Sequence, residues 1–125
     1  MSKILVIEED AAMRVLISEW LAGEGHHVHS LPRYEPALCA TADLVILDFP
    51  HPRSRDLESK RTVQAVHAAY PKASVIGIST RLGRSLGSKS DAARALGVDR
   101  LLAKPCTRDE LVGSVATMLQ SHEIR

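Results

Sequence analysis

Two unbroken apolar runs, each closed at once by an acid, most restrict what this chain of 125 residues can fold into. Ile4-Leu5-Val6-Ile7 is followed by Glu8, and Leu44-Val45-Ile46-Leu47 by Asp48. A short run without polar alternation reads as a strand buried on both faces, which requires helices above and below it. The remaining sequence supplies them. Met13, Leu16, Ile17, Trp20 and Leu21 keep helical spacing and form one stripe, stopped by Gly23 and Gly25. His27–Leu31 reads as a weaker second strand, followed by a turn between Pro32 and Pro36 and a short helix over Tyr34–Cys39. A loop over Phe49–Asp56 leads into a helix that ends before Pro71, and Val75–Ser79 reads as the fourth strand. Arg81–Ser90 carries two Gly and three Ser and reads as a mobile loop. Asp91–Leu96 reads as a helix stopped by Gly97, and Leu101–Ala103 as a short fifth strand. A last helix is expected to start at Pro105, with Leu111, Val115, Met118 and Leu119 in helical step. Five strand-helix units in one chain predict an α/β fold, a doubly wound parallel sheet with helices on both faces. Residues 1–125 are the size of one domain.

Composition removes several functional classes. Hydrophobic residues make up 45% and charged residues 25%, a globular rather than a disordered balance. Sixteen basic against fifteen acidic side chains leave a net charge of +1, without the electrostatic footprint of a direct nucleic-acid binder. The longest apolar runs, four residues, cannot span a bilayer, and the one after Met1-Ser2-Lys3 is too short for a signal peptide. Cys39 and Cys106 lie far apart without metal-type spacing, so a reduced, cytoplasmic protein is expected. Trp20, Tyr34, Phe49 and Tyr70 are the only aromatics, too few to favour a stacked cofactor.

In an open parallel sheet, chemistry sits at the carboxyl ends of the strands. Those ends carry Glu8-Glu9-Asp10, then Asp48, then Ser79-Thr80, then Lys104-Pro105. Clustered carboxylates repel one another unless a cation joins them, and hard oxygen donors of this kind suit Mg²⁺. With its charge screened, Asp48 could attack an electrophilic phosphorus, Lys104 could neutralise the transferred group, and Ser79 could donate a hydrogen bond to it. Each residue also has a plainer role: Asp10 as the cap of the following helix, Asp48 as a turn residue, Lys104 as a surface lysine. Four such residues at successive strand ends make the stronger pattern.

These segments resemble the receiver domain of bacterial two-component response regulators over nearly the whole chain. Lys3–Asp10 resembles the family's opening strand and acidic cluster, and Ala12-Met13-Arg14 continues in that style. Ala42–Asp48 resembles the run to the phosphoacceptor, with Pro52 four residues later, and Val75–Thr80 the strand bearing the switch hydroxyl. Gly97–Pro105 resembles the closing segment with its Lys-Pro pair. The resemblance implies a flavodoxin-like sheet of order 2-1-3-4-5. It implies that Asp48 accepts a phosphoryl group from the phosphohistidine of a sensor histidine kinase or a phosphotransfer protein. It further implies that Glu8, Glu9, Asp48 and the backbone carbonyl of Pro50 hold Mg²⁺, and that Ser79 and Lys104 contact the phosphoryl group. The domain itself would not be an enzyme. Its output would be altered binding of a downstream protein partner. The face built from the Asp91–Leu96 helix, the fifth strand and the last helix is where such domains dock partners or form homodimers. In a complete chain output would be by binding alone; in a fragment an output domain would be missing.

The sequence departs from the family pattern at three points. Glu9 stands where Asp is usual and is one methylene longer. Asp56 stands where the loop after the phosphoacceptor carries Gly. Leu101 occupies the usual aromatic switch position, so coupling between a hydroxyl and a turning ring cannot take its ordinary form. Glu9 and Leu101 support a second reading, a phosphorylation-independent pseudo-receiver that binds partners. A flavodoxin-like flavin binder is opposed by the acids after the first strand, which would repel a phosphate. His27 and His29 would share one strand face and are expected to be solvated. Arg53, Arg55, Lys60 and Arg61 read as a solvated basic face, and Trp20 as core.

Overall fold

The computed structural model describes residues 2–33, 41–48, 57–79, 97–103 and 107–123. Its elements run β1 (Lys3–Ile7), α1 (Ala11–Gly23), β2 (His27–Leu31), β3 (Leu44–Asp48), α2 (Leu57–Ala69), β4 (Ser74–Ser79), β5 (Arg100–Ala103) and α3 (Arg108–Glu123). All five strands are parallel, in the order β2-β1-β3-β4-β5. The expected fold class and strand order are both found. The predicted helices over 34–39 and 91–96, and the loops over 49–56 and 81–90, lie outside the described residues.

The sheet divides the interior into two apolar layers, because successive side chains of a strand point to opposite faces. Ile4, Val6, Leu44, Ile46, Ile76, Ile78 and Leu102 face Ile17 and Leu21 of α1 and Leu111, Val115 and Leu119 of α3. Leu5, Ile7, Val45, Leu47, Val75 and Leu101 face Val63 and Val66 of α2 and Tyr70 just beyond it. The central strands β1 and β3 are buried along both faces, as their unbroken apolar runs require. Each such side chain contributes about 1.5–3 kcal/mol by leaving water. The edge strand β2 is mostly half-exposed; His27 and His29 stand in solvent on one face, as expected. Trp20 is half-buried against the α1/α3 layer with Met13, Val28 and Met118, a weaker core role than its stripe suggested.

Local chemistry sets the helix limits. The Asp10 carboxylate caps α1, accepting a hydrogen bond from Met13 N–H at 3.1 Å. At the other end Gly25 N–H donates to Ala22 O at 3.0 Å and His26 N–H to Leu21 O at 3.3 Å. This pairing places Gly25 at φ +90°, a backbone state that favours glycine. The last helix starts at Arg108, three residues after the expected Pro105. Thr107 and Glu110 explain the difference. Glu110 N–H donates to Thr107 Oγ1 at 3.1 Å, and Thr107 N–H donates to Glu110 Oε1 at 3.2 Å. That reciprocal pair closes the helix entrance.

Candidate functional site

The site is built at the carboxyl ends of β1, β3 and β4. Cα pairing runs Ile4–Ile7 against Leu44–Leu47, so the next residues in step are Glu8 and Asp48. Both follow a side chain of the α2 layer and so project on the α1/α3 side. Asp48 is half-buried and pairs in register with Ile78 of β4. Glu8 is 0% exposed, a carboxylate wholly withdrawn from water. Burying a carboxylate is costly unless hydrogen bonds or a cation compensate it. Glu8 Oε2 accepts from Asp10 N–H at 3.4 Å, and Glu8 N–H donates to Leu31 O at 3.0 Å, anchoring β1 to the end of β2.

Ser79 closes β4 at 0% exposure and pairs in register with Ala103, the residue before Lys104. Strand alternation puts Ser79 on the α2 side, opposite to Ile78 and Asp48. Lys104 and Pro50 lie outside the described residues. Glu9 is exposed, and among the described residues its carboxylate makes no hydrogen bond. The sequence suggested that the acids converge. Strand register carries Glu8 next in step with Asp48, but among the described residues no group of three His, Cys, Asp or Glu side chains stands at metal-binding spacing. Two carboxylates nevertheless suit Mg²⁺, which takes one or two and completes its shell with water and phosphate oxygens. The donor chemistry therefore fits that ion without a third acid.

Leu101 is 0% exposed and packs in the α2 layer with Val63, Val75 and Val98. It fills its place as ordinary core. One contributor was missed in the sequence. Arg14 Nη1 donates to Glu8 O at 2.9 Å and to Glu9 O at 3.5 Å, so the first turn of α1 grips the backbone of the acidic pair. The signal was present: a cation in the first turn of a helix faces the positive end of the helix dipole and needs acceptors there.

With this geometry in hand, solved structures are informative. A response regulator from Thermotoga maritima superposes with a TM-score of 0.75 at 17% identity, covering 96% of this chain and 98% of that one. TrrA from Thermotoga maritima, in complex with Mg²⁺ and BeF, gives a TM-score of 0.71 at 25% identity, covering 94% and 99%. The chain has the fold of response-regulator receiver domains. In sequence it is similar to the transcriptional regulatory protein CpxR of Klebsiella pneumoniae subsp. pneumoniae (strain HS11286), 28% identical over 123 residues. CpxR of Escherichia coli (strain K12) matches to the same degree. Each match covers 96% of this chain, which spans about half the length of these curated relatives. No family model matches the chain. No helix among the described residues is long and apolar enough to cross a membrane.

Proposed function

We propose that this domain receives a phosphoryl group on Asp48 from the phosphohistidine of a sensor histidine kinase or phosphotransfer protein, with Mg²⁺, and thereby changes its affinity for a downstream protein partner. The observation that carries the reading is the placement of Asp48. It ends the central strand β3, half-buried, in step with the buried carboxylate of Glu8 and one strand away from the buried hydroxyl of Ser79.

An Asp48 carboxylate oxygen forms a new P–O bond as the P–N bond of the phosphohistidine breaks. The electron pair of that bond stays on the imidazole nitrogen, which takes up a proton. The product is an acyl phosphate. Glu8 and Asp48 would hold Mg²⁺, joined by the Pro50 carbonyl and by Glu9, whose exposed side chain is unconstrained enough to turn inward. The ion supplies charge neutralisation between carboxylates and phosphoryl oxygens. Ser79 donates its hydroxyl hydrogen to a phosphoryl oxygen, and Lys104 balances the added negative charge. The new group brings roughly −1.5 to −2 charges and three acceptor oxygens, enough to bias a two-state domain.

The test is intact-protein mass after incubation with a small-molecule phosphodonor, with and without Mg²⁺, on wild type and Asp48→Asn. One Mg²⁺-dependent phosphoryl adduct is expected on wild type and none on the variant. An adduct retained in Asp48→Asn would move the acceptor elsewhere. No adduct on folded wild type would favour the pseudo-receiver reading, which Leu101 supports by filling the aromatic switch position as plain core.

A further inference from the structure

We infer that Arg14 is a positioning residue for the acidic end of β1, and that the cation affinity of the site depends on it. The inference rests on the proposed Mg²⁺ site. Arg14 Nη1 reaches the carbonyl of Glu8 at 2.9 Å and that of Glu9 at 3.5 Å. Among the described residues it makes no ion pair with a carboxylate. Its targets are the backbone carbonyls of the two glutamates, one in the Glu8–Glu9 peptide and one in the Glu9–Asp10 peptide.

The connection from β1 to α1 is also tied by four hydrogen bonds. Glu8 N–H is held by Leu31 O, and Glu8 Oε2 by Asp10 N–H. Asp10 Oδ1 holds Met13 N–H, and Asp10 O holds Arg14 N–H at 2.9 Å. The carbonyls of Glu8 and Glu9 are the points at which the two peptide planes could still turn. Each plane sets the direction of the neighbouring Cα–Cβ bonds, and therefore where the carboxylates aim. Arg14 fixes both planes with one nitrogen, from a helix that Asp10 has already capped.

The sign of the effect separates positioning from charge. A guanidinium close to a cation site repels the cation, so its charge alone makes Arg14 unfavourable for Mg²⁺. If Arg14 acted only as a charge, its removal would tighten binding. As a positioning residue its removal loosens the loop and weakens binding, and groups that orient metal ligands typically change affinity by about 10–100-fold.

The experiment uses wild type, Arg14→Ala and Arg14→Lys, all shown to be folded by thermal melting. Mg²⁺ affinity is measured by titration calorimetry on metal-free protein. Amide hydrogen exchange at Glu9 and Asp10 is followed by NMR without metal. Arg14→Ala is expected to bind Mg²⁺ about tenfold or more weakly, with faster exchange at both amides. Arg14→Lys, which keeps the charge and one donor, is expected to fall between the two. Equal or tighter binding by Arg14→Ala overturns the inference. If wild type takes up no Mg²⁺, the functional reading fails at its metal and exchange alone judges Arg14. Faster exchange in Arg14→Ala then upholds the positioning role, and unchanged exchange overturns it.

Discussion

Two aspartates do the same work at different places in the sheet. Asp43 N–H donates to Lys3 O at 2.8 Å, while its Oδ2 accepts from Lys3 N–H at 2.8 Å. Asp99 repeats the arrangement with Val75, at 2.8 Å in both directions. One acid thus satisfies both backbone groups of the first or second residue in a neighbouring strand. It also fixes the register, which in a sheet buried on both faces cannot slip by one residue without inverting every side chain. Replacing either aspartate by Ala is expected to lower stability by about 1–2 kcal/mol, and Asn should restore most of it because its carbonyl still accepts. Urea unfolding with an unchanged m value would show this; loss of less than a few tenths in both Ala variants would contradict it. Both aspartates stood in plain view in the sequence, but their partners are 40 and 24 positions away, and only the register brings them together. Arg14 was hidden for a different reason. Its first-turn position hinted at nearby acceptors, but these are backbone carbonyls, which side-chain patterns do not single out.

At the scale of elements, apolar periodicity was the readable signal and end chemistry the less readable one. β1 and β3 were found to within a residue because continuous apolar runs leave few alternatives, and β4, interrupted by Gly77, was found to the same margin. The start of α3 was misplaced because Pro105 is a common first helical residue and drew attention from the T-x-x-E pattern at Thr107–Glu110. That pattern predicts its own energetics. Thr107→Ala should cost about 1 kcal/mol. Glu110→Ala should cost less alone, and the double variant should fall short of the sum because the two bonds are reciprocal. A thermal or urea double-mutant cycle measures the coupling; strict additivity would mean that the two bonds act independently. The acidic cluster was likewise only half legible. Glu8 is next in step after the Ile7–Leu47 pair and its N–H is held by Leu31 O, whereas Glu9 lies one residue further on, where no ladder dictates its direction.

For the whole molecule, the parallel sheet followed from the pattern of strand-helix units and the strand order from the family resemblance, and the two apolar layers follow from both. Leu101 is fully enclosed in the α2 layer among Val63, Val75 and Val98. Inserting the ring that related domains carry there should therefore overpack this chain. Leu101→Phe is expected to destabilise by about 1–3 kcal/mol, and Leu101→Ala by about 2–5 kcal/mol through the cavity it leaves. A stable Leu101→Phe protein would show that the layer retains room for a turning ring, and would revive that route of switching.

The alternation along β3 and β4 has a mechanical consequence. Asp48 belongs to the α1/α3 side of the sheet and Ser79 to the α2 side, on adjacent strands. In the proposed reaction, a group bonded to Asp48 and hydrogen-bonded by Ser79 would be a rivet through the end of the sheet, joining its two packed layers. Under the proposed phosphorylation of Asp48, such a link would couple the packing on one face of the sheet to that on the other.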